Sequence, residues 1–234
     1  MSAPFLNETH EKRFSILVLT AIAGVLACKH FFLYQPPGPI LWDEWLYKEN
    51  AELLSHGERF FSDHYPPLYS LVISIAFFFR NWYESIHVIN GILSTLLVIP
   101  VWLIARMFVT RPFALLTVLL VLMLPFQAIY PGFVMSENLF LLLFAFAVYF
   151  SLQGADTTCR KAALMGISLG LAYLTRYLML PAIPVMILFW ITVPVFREKK
   201  KLAFFLSRRF LVNGLILASC LVLVMLPWFI YAYH

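Results

Sequence analysis

Two adjacent carboxylates, Asp43 and Glu44 in "LWDEWLYKEN", follow closely on one apolar stretch, and a third, Glu137, opens another in "VMSENLFLLLF". Adjacent acids can divide proton transfer, one as base and the other orienting it. A carboxylate at the edge of an apolar medium is costly to desolvate unless it takes a proton or binds a cation. Helix starts offer a plainer account: Asp43 and Glu44 suit a helix beginning at Trp45, and Glu137 suits the first turn of a helix capped by Ser136. If Asp43 and Glu137 face one cavity from different helices, their oxygens could share a divalent metal, Mg or Mn, or else Ca. Arg176, in "GLAYLTRYLMLP", suits either a phosphate partner or snorkelling to lipid phosphate. His64, in "DHYPP", is a candidate acid or base, although a lone loop histidine usually is neither.

These groups sit in a chain of 234 residues that is 62% hydrophobic and only 12% charged, with mean hydropathy +0.84. Soluble domains carry about 25% charged residues, so a soluble class is excluded. The net charge of +5 belongs with loop cations rather than nucleic acid. Cys28, Cys159 and Cys220 stand apart, with neither disulfide nor zinc spacing. The polar head "MSAPFLNETHEKR" precedes an apolar run too long for a cleavable signal.

Apolar segments fall at roughly 14–34, 66–80, 86–105, 112–130, 137–153, 162–177, 179–196 and 210–231. The second is short for a span of ~30 Å. If it lies along the membrane and the N-terminus is inside, 12 of the 17 cations are cytoplasmic; if it crosses, only 4 are. The positive-inside rule favours the first arrangement. The expected fold is therefore all-α: one polytopic transmembrane helical bundle, residues 1–234, of about seven spans. Its external first loop, 35–85, carries two juxtamembrane helices: an amphipathic one over 44–61 and an apolar one over 66–80 opened by Pro66 and Pro67. "REKKK" at 197–201 reads as a cytoplasmic anchor on anionic membrane lipids.

An Asp-Glu pair just past the first span, Tyr47 and Glu49 downstream, the "YPPLY" juxtamembrane helix, "SE" at 136–137, "GISLGLAYLTR" and a last span closing on "LPWFIY" together resemble the GT-C class of membrane glycosyltransferases. The protein O-mannosyltransferase and lipid A aminoarabinose transferase group is the most similar part of that class. The resemblance implies transfer of a sugar from a polyprenyl-phosphate donor on the extracytoplasmic face of an inner or ER-like membrane. It makes Asp43 the base with Glu44 beside it, Glu137 a second acidic contact to acceptor or metal, and Arg176 the group facing the donor phosphate. Tyr65 stands where relatives carry His or Lys before the proline, with His64 able to substitute. Relatives continue past the seventh span, so by the resemblance this chain is a minimal form, a truncated product, or half of a split system whose C-terminal half a partner chain completes. The alternative reading is a non-catalytic module that binds lipid-linked sugar.

Overall fold

In the computed structural model the described residues are 42–60, 65–124, 127, 130–155, 157–198 and 207–232, with single positions at 13, 16, 20, 22 and 24. Most of the expected first span, together with His64 and Lys199–Lys201, lies outside them. Among the described residues the long regular elements are all helices: α1 (Trp42–Ser55), α2 (Pro67–Ser74, continued as a 3-10 turn Ile75–Phe78), α3 (Trp82–Leu96), α4 (Val98–Phe108), α5 (Arg111–Leu122), α6 (Glu137–Leu152), α7 (Cys159–Thr175), α8 (Ala182–Glu198) and α9 (Arg208–Ala232).

Among the described residues two stretches are long and apolar enough to cross a membrane unaided: Trp82–Phe108, which joins α3 to α4, and α9. The break between α3 and α4 precedes Pro100, which has no N–H to return to Leu96. Four more of the expected spans, 112–130, 137–153, 162–177 and 179–196, correspond to shorter helices of 12 to 17 residues. Apolar side chains are displayed outward: Leu215 is 69% and Leu223 65% exposed on α9. In water that surface would drive association, whereas in lipid it is the solvated face. The chain is a polytopic membrane bundle.

Helix α1 ends sooner than the 44–61 expected, because Gly57 takes a left-handed φ of 76°. Glu58 N–H then reaches Leu53 O at 2.9 Å and Gly57 N–H reaches Leu54 O at 3.0 Å, a Schellman closure. Its inner face is also covered by protein rather than lipid. Leu46, Tyr47, Asn50 and Ala51 are buried, and Tyr47 and Ala51 share a core with Tyr69, Ile73 and Ala76 of α2 and its 3-10 extension.

Helix α7 is the centre of the bundle, packing on α9, α6 and α2. Gly166 and Gly170, four apart, let α9 approach closely: a Cβ on Gly166 would stand 2.4 Å from the Leu217 carbonyl oxygen. At the end away from α1, Pro194 leaves the Trp190 carbonyl without its helical donor, and Ala155 N–H fills the gap at 2.9 Å. Asn213 of α9 donates to Ala155 O at 3.1 Å and Thr157 O at 2.7 Å, so the α6–α7 turn is held by both neighbours.

Candidate functional site

The opposite end of the bundle gathers the sequence candidates. Asp43 and Glu44 lie in the first turn of α1, and successive helical residues point about 100° apart. They consequently part company. Glu44 turns inward, is 5% exposed, and accepts the Val134 N–H at 2.7 Å. Asp43 stays half-buried at the rim, where its Oδ1 accepts the Tyr65 hydroxyl at 2.7 Å. One turn on, Tyr47 is buried, its hydroxyl bonded to Ser136 Oγ at 3.0 Å and its ring edge-on to Tyr65 and Tyr69. Burial raises the Tyr47 phenol above its ordinary value. The Tyr65 phenol is pushed up to about 12, chiefly by its bond to Asp43 and then by burial.

Glu137 sits in the first turn of α6, where a carboxylate complements the helix dipole. Ser136 does not cap that helix through its side chain as expected; its hydroxyl serves Tyr47 instead. Glu137 Oε1 pairs with Arg176, which emerges where α7 stops in extended backbone (φ −150°, ψ 127°). Burial works against the arginine's charge, but the bond and field of Glu137 outweigh it and its pKa is raised. Asp43 and Tyr47 also contribute to that field, so α1, α6 and α7 converge electrostatically on Arg176.

Of the sequence candidates, Asp43, Tyr47, Tyr65, Glu137 and Arg176 therefore come together, and His64 falls outside the described residues. Glu44 is close in space but engaged in the core, which does not fit the expected catalytic neighbour of Asp43. Among the described residues no group of three or more His, Cys, Asp or Glu is gathered. Asp43 is bonded to Tyr65 and Glu137 to Arg176, so this donor set does not fit a resident ion.

Sequence reading missed the polar stripe of α3. His87 Nδ1 donates to Pro131 O at 2.9 Å, Asn90 Nδ2 to Phe133 O at 2.8 Å, and Ser94 Oγ to Gln127 Oε1 at 2.6 Å. The signal was visible as polar residues at 87, 90 and 94 of an apolar helix, one face at helical spacing.

Comparison with known proteins agrees with this architecture. The family model described as dolichyl-phosphate-mannose-protein mannosyltransferase matches residues 64–230, which takes in Glu137 and Arg176 but begins after Asp43. The fold is similar to the crystal structure of ArnT from Cupriavidus metallidurans bound to undecaprenyl phosphate, with a TM-score of 0.70 at 17% identity. That match covers 91% of this chain and 41% of the other, so the chain spans about two fifths of that protein's length. No curated protein matches the sequence significantly. A helical membrane bundle whose family match runs from the first loop into the last helix leads to one assignment: the chain belongs to the dolichyl-phosphate-mannose-protein mannosyltransferase family, within the GT-C class.

Proposed function

We propose that this chain moves a sugar from a polyprenyl-phosphate donor to an acceptor hydroxyl on the extracytoplasmic side of an inner or ER-like membrane. The observation that carries the proposal is the pairing of Asp43–Tyr65 with Glu137–Arg176 at one end of the bundle. That end lies opposite Arg106, Arg111, Arg160, Lys161, Arg208 and Arg209, the helix-end cations assigned to the cytoplasm.

In this proposal the acceptor oxygen attacks the anomeric carbon, its proton passes to Asp43, and the bond from that carbon to the phosphate oxygen breaks. Tyr65 holds one oxygen of the Asp43 carboxylate and leaves the other to face the acceptor. Arg176 takes up the negative charge of the departing polyprenyl phosphate, and Glu137 holds the guanidinium in place beforehand. A bridging Mg or Mn on Asp43 and Glu137 would have to displace Arg176 from its partner, so no step is assigned to it.

The test uses the wild-type chain and Asp43→Asn in liposomes with polyprenyl-phosphate mannose as donor probe, followed by release of polyprenyl phosphate. Asp43→Asn is expected to remove at least about 99% of the rate, the loss general-base catalysis supplies. Full activity in the variant removes Asp43 from the reaction. Wild-type protein that binds the donor without turnover favours the alternative, a lipid-linked-sugar-binding module completed by a partner chain.

A further inference from the structure

We propose that Glu44 and Asn90 are positioning residues that grip one peptide group from its two sides, and so set where Glu137 and Arg176 stand relative to Asp43. The proposal rests on the sugar-transfer reading above.

Residues 130–136 form no regular structure beyond a 3-10 turn at Tyr130–Gly132, yet they deliver Glu137 to the site. Asn90 Nδ2 donates to the carbonyl of Phe133 at 2.8 Å, and Glu44 Oε1 accepts the N–H of Val134 at 2.7 Å. That carbonyl and that N–H belong to the same peptide plane, and in a trans peptide they point in opposite directions. The plane is thus held between α3 and α1, three residues ahead of Glu137.

Three further contacts brace the grip. Asn90 Oδ1 accepts the Tyr69 hydroxyl at 3.1 Å, and the Tyr69 ring lies edge-on to Tyr47 with centroids 5.0 Å apart. Tyr47 in turn bonds Ser136 at 3.0 Å, one residue before Glu137. Asn90, Tyr69 and Ser136 are each fully buried.

A buried peptide group needs partners in any fold, so satisfaction alone would explain two bonds. It does not explain the choice of a carboxylate, which is costly to bury. Glu44 has a property no distant acceptor has: it is the chain neighbour of Asp43. The tether therefore joins the turn carrying Asp43 to the segment carrying Glu137 with almost no slack. Misplacement of a reacting group by about 1 Å can cost roughly a hundredfold in rate, which is the scale on which this tether matters.

The test compares Glu44→Ala, Glu44→Gln, Asn90→Asp and wild type. Gln keeps an oxygen that accepts the Val134 N–H, and Asp keeps the acceptor for Tyr69 but loses the donor to Phe133. Release of polyprenyl phosphate from polyprenyl-phosphate mannose is expected to lose roughly a hundredfold in kcat in Glu44→Ala and Asn90→Asp, with KM held within about threefold. Glu44→Gln is expected to keep at least about ten times the kcat of Glu44→Ala. Hydrogen exchange of peptides covering 133–136 should accelerate in Glu44→Ala and remain slow in Glu44→Gln. Equal loss in Glu44→Gln and Glu44→Ala, the mark of a group that transfers protons, overturns the assignment, and so does unchanged exchange in Glu44→Ala. A wild-type chain without turnover overturns the sugar-transfer reading instead, and the exchange measurement still decides the tether.

Discussion

Alanine at Gly166 tests how closely α7 and α9 meet. An added Cβ would stand 2.4 Å from the Leu217 carbonyl oxygen and 3.1 Å from Cys220 Cβ. The oxygen is backbone and cannot rotate away, so reaching an ordinary contact near 3.4 Å requires the helices to part by about 1 Å. Asn213 lies one turn before Leu217 and moves with it, straining its bonds to Ala155 O (3.1 Å) and Thr157 O (2.7 Å). Overpacking of this kind costs about 1–3 kcal/mol, and losing a buried hydrogen bond adds about 1–3 kcal/mol. A loss of roughly 2–6 kcal/mol corresponds to a fall in Tm of about 4–24 °C for a chain of this size.

Two companions calibrate the measurement. A Cβ on Gly170 meets Val224 side-chain atoms at 2.8 and 2.9 Å, with backbone no nearer than 3.4 Å, so Gly170→Ala should lose less. Gly214 has nothing within 4 Å, and Gly214→Ala should gain about 0.5–1 kcal/mol from helix propensity alone. Thermal unfolding of the detergent-solubilised protein, followed by tryptophan fluorescence, reads all three. A Gly166→Ala protein whose Tm stays within about 2 °C of wild type would refute the close approach.

The Glu137–Arg176 pair is part-exposed, with side chains 19% and 32% accessible, between the surface and buried regimes. A double-mutant cycle of Glu137→Gln and Arg176→Gln, read as unfolding stability, should give a coupling of about 1–3 kcal/mol; a value near zero would mean the pair is solvated. Tyr65 titrates near 12, above its ordinary value of 10.0. The stabilisation from its bond to Asp43 is therefore whole below pH 10 and disappears as the pH rises through 12. Ultraviolet difference titration of wild type against Tyr65→Phe should show that late-ionising phenol, and a midpoint near 10 would deny the bond. For topology, a cysteine replacing Glu58 should react with an impermeant maleimide added outside intact cells, whereas one replacing Thr110 should resist it. The reverse pattern would invert the bundle.

Hydropathy located the apolar segments well because burial in lipid is a one-dimensional demand: about twenty apolar residues in a row satisfy it wherever they pack. It located their ends less well. Leu122 closes α5 short of the 112–130 expected, where Pro125 has no N–H for the Val121 carbonyl and disfavours helical backbone at Leu124. Gly57 ended α1 for a comparable local reason, and it is legible in hindsight as the glycine that follows a charged helix.

The site divides differently. Asp43 and Glu44 are chemically near-equivalent in sequence, and what separates them is the phase of α1 against a segment ninety residues away. Only once Leu46, Tyr47, Asn50 and Ala51 are known to face inward does the helical rotation place Glu44 with them and leave Asp43 at the rim. The same dependence explains why Asn90 and His87 escaped notice. A polar residue in an apolar helix advertises that it has a partner, but the partners here are backbone carbonyls at 133 and 131 in a loop whose course no local pattern predicts. Candidate acids can thus be read from their residue type. Their division into one acid at the rim and one engaged in the core comes from the packing of α1 against its neighbours.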